Sequence, residues 1–263
     1  MTWIGIGYRH ALSRWIEQRP DEVGCVEITA EHFFDFGQDQ LAALSKAYPV
    51  FVHGLGLSLG TPGPLDPETL RRFVGVVKCC DPVWVSEHIA FTRTNEVDLG
   101  HLNPLRPSRK MLQTLSHHAR EMAEACEKPV ILENITSHLL MEGDLSETAF
   151  LNQLCDDAGC GLLLDVTNLL INSRNHGFDP RSWLHEIEPR HVVQLHIVGY
   201  ASRGGHLEDS HSEPVQDDLL ALLKDVVDYA PVRAIILERD ANLERPAEIA
   251  SELLKLEGAI GKR

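Results

Sequence analysis

The sequence predicts an α/β chain folded as a (β/α)8 TIM barrel. Two observations predict it. Apolar runs of strand length recur about every 30 residues, the size of one βα unit, and stretches with helical periodicity lie between them. Eight such units account for the 263 residues without a Ser/Gly-rich linker or a break in composition. One barrel domain spanning residues 1–263 is therefore expected. A doubly wound open sheet is the structural alternative with the same repeat.

The runs follow in order. WIGIGY (residues 3–8) and CVEITAE (25–31) open the chain, and PVFVHG (49–54) is the third strand. The amphipathic stretch PETLRRFVGVVKCC (67–80) leads to the fourth, PVWVSEH (82–88). SRKMLQTLSHHAREMAEACE (108–127) is a second amphipathic helix, and KPVILEN (128–134) is the strand after it. CGLLLDVT (160–167), VVQLHIVG (192–199) and PVRAIILERD (231–240) complete the set. Pro49, Pro82, Pro129, Gly161 and Pro231 mark strand starts, where a missing backbone N–H or a side-chain-free position costs the ladder least.

A hydrophobic content of 43% supplies an ordinary core. No apolar run reaches the roughly 18–20 residues that cross a bilayer. The N-terminus MTWIGIGYRHAL lacks a basic leader followed by a long apolar stretch, so a cytoplasmic protein with no membrane partner is expected. A net charge of −15 argues against a nucleic-acid partner, whose phosphates need clustered Lys and Arg. The six cysteines (Cys25, Cys79, Cys80, Cys126, Cys155, Cys160) form no CxxC pair and are expected to be reduced.

Barrel enzymes build their sites at the C-terminal ends of the strands. Those ends here carry Glu27 and Glu31, His53, Glu87 and His88, Glu133 and Asn134, and Asp165. His196 follows, then Asp209 and His211 in the next loop, then Glu238 and Asp240. Only the first strand lacks such a residue, unless His10 counts. A single His or Asp at a strand end often just caps a turn, and Glu31 or Glu87 can serve a helix N-terminus. The barrel, however, converges these ends on one small volume. Glu133, Asp165, Asp209 and Glu238 would repel there without compensation, and neutral His53, His88, His196 and His211 do not cancel the charge. Bound divalent cations would.

Eight candidate ligands exceed what one ion takes and fit two or three ions with a bridging carboxylate. Mixed His and carboxylate donors suit iron, manganese or zinc. In DSH, Asp209 and His211 stand two apart, on one side of an extended segment. The glycines of PVFVHGLGLSLG (49–60) could cradle a phosphate or simply give His53 room. A dinucleotide fingerprint belongs to the first βα unit, whereas this is the third, so the glycines are expected to turn the backbone tightly beside His53.

HGLGLSLG, SEH, LEN, LLLDVTN, HIVGY, DSH and LERD, in this order and spacing, resemble the multinuclear non-heme iron-dependent oxidases, a TIM-barrel family that modifies peptidyl cysteine. The resemblance runs from GIGY to the last strand. It implies that His53, His88, Glu133, Asp165, His196, Asp209, His211 and Glu238 bind two or three irons, as Fe(II)/Fe(III). It makes Asn134 and Asn168 their hydrogen-bond partners or weak ligands. Tyr200 stands where the broader family has a histidine, which puts a ligand role there in doubt and leaves a catalytic one. Asp240 is implied to act as a base or to orient substrate, or else to form a helix-side salt bridge.

The implied substrate is a cysteine of a ribosomally made precursor peptide, oxidised with O2 in peptide natural-product biosynthesis. The product is an oxazolone with a thioamide, or a peptide that has lost the β-carbon. A small, separate partner protein that recognises the peptide leader is also implied, as a heterodimer. Three rivals remain: a trimetal zinc endonuclease, a sugar isomerase on a similar barrel, and a noncatalytic metal-binding protein. The isomerase chemistry often uses a lysine near the metals, and no strand end carries one.

Overall fold

A computed structural model describes residues 2–94 and 97–261. Its strands are β1 (Trp3–Gly7), β2 (Cys25–Thr29), β3 (Val50–His53), β4 (Val85–His88), β5 (Phe91–Arg93), β6 (Asp98–Asn103), β7 (Val130–Glu133), β8 (Gly161–Asp165), β9 (Val192–Ile197), β10 (Gly199–Arg203), β11 (His206–Glu213) and β12 (Ala234–Leu237). Strands β1-β12-β9-β8-β7-β4-β3-β2 close into a parallel barrel with helices between them, so the chain is a TIM barrel.

Two antiparallel hairpins stand on the barrel's C-terminal side, where β4 and β9 run out: β5–β6 and β10–β11. The sequence predicts a loop for Asp209 and His211; they lie instead on β11. It also predicts a second strand running to Glu31, but β2 ends at Thr29 because Ala30–Phe33 turns into a 3-10 segment.

Local chemistry fixes the helix starts. Asp66 caps Thr69 N–H at 2.8 Å ahead of Pro67–Cys80, and Ser108 caps Met111 N–H at 3.2 Å ahead of Arg109–Cys126. Most of the buried aliphatic side chains fill the layer between the sheet and its surrounding helices. Inside the barrel, a separate cluster of Cys25, Phe51, Trp84, Ile131, Leu163, Ala234 and Ile236 forms the floor. Phe51 and Trp84 stack there with ring centroids 4.3 Å apart.

Two residues further along each of these strands, the period-2 alternation again points inward. Phe51 is followed by His53, Ile131 by Glu133, Leu163 by Asp165 and Ile236 by Glu238. An apolar floor thus carries a polar storey directly above it. The cysteines are all free, and no helix of the described residues is long and apolar enough to cross a membrane.

Candidate metal centre

Register sets the neighbours. His88 pairs with Glu133 across β4 and β7, and Asp165 pairs with His196 across β8 and β9. His53 Nε2 lies 3.3 Å from Glu133 Oε2, His88 Nε2 lies 3.4 Å from the same oxygen, and the two Nε2 atoms are 3.4 Å apart. The other Glu133 oxygen, Oε1, is 3.2 Å from His196 Nδ1, which is also 3.2 Å from Glu238 Oε2. Two groups of donor atoms result, His53–His88–Glu133 and Glu133–Asp165–His196–Glu238, and Glu133 belongs to both.

These groups fit metal ions. Glu133 Oε2 is buried and has no hydrogen-bond donor, an arrangement that costs free energy unless a cation occupies the gap. Donors bound to one ion at about 2.0–2.2 Å stand roughly 3.0–3.5 Å apart, the separation seen around Glu133. Each of the three imidazoles also commits one nitrogen elsewhere. His53 Nδ1 meets Ser86 Oγ at 2.8 Å, His88 Nδ1 meets Glu87 Oε1 at 3.2 Å, and His196 Nε2 meets Glu27 Oε1 at 2.6 Å. The remaining nitrogen of each ring faces Glu133, as in metal sites where an outer acceptor fixes the tautomer.

The electrostatics agree with a cation-seeking site. Burial pushes the Asp165 carboxyl well above its usual range, and the Asp209 and Glu133 charges push it further. Burial and the neighbouring His88 and His196 push His53 well below the ordinary imidazole value. Burial opposes protonation of His88, yet Glu133 and Glu87 raise its pKa to about 9. Burial likewise opposes ionisation of Glu238, but His196, His211 and Arg9 hold it well below the carboxylate range. A divalent cation would replace the protons that the imidazoles otherwise share with these carboxylates.

Asp209 and His211 border the same cavity of about 400 Å³. They touch each other, His211 Nε2 to Asp209 Oδ2 at 3.1 Å, and Asp209 Oδ1 is buried without a donor. The segment is not a plain extended clip, because His211 has φ 50°. Among the described residues, neither joins a three-donor group. Asn134 holds the Asp165 backbone from both sides, accepting Asp165 N–H at 2.8 Å and donating to Asp165 C=O at 3.1 Å. Asn168 donates to Asn134 C=O, gives its N–H to Asp165 and leaves Oδ1 buried without a donor.

Asp240 sits half exposed at the rim, paired with Arg9 Nε and 3.1 Å from His211 Nδ1. The salt bridge it forms is this pairing with Arg9. Tyr200 is not brought to the cavity: its hydroxyl donates to Asp218 Oδ2 at 3.0 Å, against the helix Asp217–Tyr229. The geometry gives it no contact with the metal-facing groups.

Several partners were missed from sequence. Arg9 lines the cavity from the end of β1, so the first strand contributes a cation where an imidazole or carboxylate was sought. Ser86 was legible, since it precedes His88 by two and shares its face. In the sequence Glu27 reads as a strand-end carboxylate and Glu87 as one that can also serve a helix N-terminus; neither reads as a partner of an imidazole. The glycine loop is also built differently from expectation. Leu55 and Gly56 N–H donate to Glu31 Oε1 at 2.9 and 2.8 Å, and Leu57 N–H donates to Glu87 Oε2 at 3.0 Å. Carboxylates of this chain thus occupy the loop amides that a phosphate would use. The left-handed residue in the loop is Ser58 (φ 56°). Gly54 serves close approach, because a Cβ there would lie 2.9 Å from Glu87 Oε2 and from Phe73.

Residues 3–260 match the family of RiPP precursor modification enzymes MbnB/TglH/ChrH. The chain belongs to this family. It is 35% identical over 246 residues to UPF0276 protein RB0508 of Rhizobium meliloti, covering 88% of this chain and 80% of the relative. A UPF0276 protein of Chromobacterium violaceum is 32% identical over 257 residues, covering 97% and 91%. Among solved structures, endonuclease IV from Thermus thermophilus superposes with TM-score 0.63 at 14% identity, covering 97% and 99% of the two chains. The 3-keto-D-glucoside 4-epimerase of E. coli gives TM-score 0.63 at 14% identity, covering 98% and 100%. At that identity these two share the barrel alone. Like other RiPP precursor modification enzymes, this family member has a precursor peptide as its implied substrate. An apolar groove lined by Ile89, Leu105, Leu140, Phe150 and Phe178 borders its cavity, and Ile135 lies on both.

Proposed function

We propose that the protein is a multinuclear non-heme iron oxidase that uses O2 to modify a cysteine of a ribosomally made precursor peptide. Membership of the precursor-modifying family supports the substrate class. The observation that carries the metal chemistry is Glu133, whose two oxygens face two separate sets of donors. On this reading His53, His88 and Glu133 hold one iron, and Glu133, Asp165, His196 and Glu238 hold a second. Asp209 and His211 stand at the cavity edge as ligands of a third position or as its border.

Iron in this site would supply a centre able to bind a thiolate and reduce O2. The chain's own residues then do the rest. Ser86, Glu87 and Glu27 fix which ring nitrogen each histidine presents. Asn134 and Asn168 hold Asp165 in place through the backbone. Asp240, already ionised and paired with Arg9 and His211, is a weak base and acts to hold those two groups over the cavity. Tyr200 takes a structural role against Asp218. The groove beside Ile135 suits apolar side chains flanking the reacting cysteine, and a separate small protein would hold the leader.

The test is anaerobic purification with the partner protein, metal analysis, and addition of O2 with a cysteine-containing candidate peptide. Bound iron at two or more per chain and an O2-dependent change in peptide mass are expected. Zinc alone from an iron-supplemented preparation, with no mass change, would overturn the oxidase reading in favour of a zinc enzyme or a noncatalytic metal protein.

A further inference from the structure

Below His196, a line of buried polar groups runs to the barrel floor. Trp84 Nε1–H donates to Gln194 Oε1 at 2.6 Å, Gln194 Nε2 donates to Glu27 Oε2, and Glu27 Oε1 meets His196 Nε2 at 2.6 Å. All four residues are at most 2% exposed. Gln194 is two residues before His196 on β9, so both side chains enter the barrel one storey apart. The ends of the line cannot be exchanged. Indole N–H only donates, which orients the Gln194 amide with its oxygen toward Trp84 and its NH2 toward Glu27. Gln194 Nε2, itself a donor, also lies 3.1 Å from His196 Nε2, but the shorter contact, 2.6 Å, is to the Glu27 carboxylate; Glu27 Oε1 therefore accepts and His196 Nε2 carries the hydrogen.

We propose that Glu27 is a positioning residue for the second metal position: with Gln194 and Trp84 behind it, it locks His196 in the tautomer that presents Nδ1 to Glu133 and Glu238. The inference rests on the metal reading above. A buried carboxylate behind an imidazole fixes ring orientation and makes the metal-facing nitrogen a stronger donor. A carboxylate at this depth is otherwise costly, and here its oxygens meet Gln194 Nε2 and His196 Nε2. The two imidazoles of the first position are held independently of the line, His53 by Ser86 and His88 by Glu87, and only the shared Glu133 links that position to His196.

The full chain, stripped of metal and titrated anaerobically with Fe(II), tests this, together with 15N histidine NMR of the Zn(II)-loaded protein. The wild type should bind at both positions and show one histidine with Nε2–H and a metal-bound Nδ1. Glu27→Ala should weaken the second position about 10–100-fold and change that tautomer signature, with the first position, which shares only Glu133, affected less. Glu27→Gln keeps an acceptor of the same shape and should fall between the two. Wild-type affinity and tautomer in Glu27→Ala would overturn the proposal. If Glu27→Ala does not fold, the same two readouts on Glu27→Gln decide, and wild-type values in both overturn it. A wild-type chain that binds no ion overturns the metal reading itself, and this inference with it.

Discussion

At the scale of single residues, Glu133 matters most because two donor sets share it. Its Oε2 faces His53 and His88, its Oε1 faces His196, and no N–H or O–H satisfies the former. Glu133→Gln keeps the shape and removes the charge, while placing a donor NH2 before nitrogens that should face a cation. Metal analysis of the purified variant should show both positions depleted, by at least the ~10–100-fold that loss of a mere outer partner costs. His53→Ala should deplete only the first. Equal retention of metal by wild type and Glu133→Gln would end the bridging assignment. Asp240→Asn should keep its metal, since Asp240 touches Arg9 and His211 and sits at the rim.

At the scale of elements, the β10–β11 hairpin brings Asp209 and His211 to the cavity, and Gly199 stands at its base, paired with Glu213. A Cβ at Gly199 would lie 2.1 Å from Pro214 O and 2.4 Å from Glu213 O, both backbone atoms with little room to yield. Gly199→Ala should therefore lift the hairpin from its register and loosen Asp209 and His211. The His53–His88–Glu133 group, carried by β3, β4 and β7, should survive. Faster amide exchange confined to residues 199–213, with iron still bound at the first position, is the expected pattern; uniform exchange would contradict it. The hairpin also shows where sequence reading stopped. Strand ends were legible because strand-length apolar runs finish in His, Asp or Glu. The hairpin's short, polar, half-exposed strands carry no such apolar signal. Glu27 looked like one more strand-end carboxylate, although its partners on β9 lie 167 and 169 residues away. Only barrel closure brings them together. Arg9 carries no such signal either, because a guanidinium is not a metal ligand and this one lies beyond the end of the first apolar run.

At the scale of the whole molecule, the centre ties stability to pH in opposite ways with and without metal. In chelated protein, His88 is raised to about 9 and His211 to about 11, against an ordinary 6.5, and Glu31 is raised to about 7 from 4.5. Burial opposes the histidine shifts, which carboxylates drive: Glu133 at His88, and Asp209 and Asp240 at His211. Burial itself, with the Glu87 charge, drives the shift of Glu31. Each group binds its proton more tightly when folded. Its contribution is complete below the unfolded value and is lost as pH rises through the folded one. Glu238 and Asp240 are lowered, so their contributions change only in acid, outside this window. His53, also lowered, contributes above the ordinary imidazole value. Chelated protein should therefore lose stability from about pH 6.5 to 9. Metal ligands must be deprotonated, so the loaded protein gains affinity for its ions over the same range. Melting curves of loaded and chelated protein should diverge steadily with pH, the gap in Tm being smallest near pH 6.5 and widest near pH 9. A gap that stays constant or narrows would mean that the raised histidines are not the groups from which the metals displace protons.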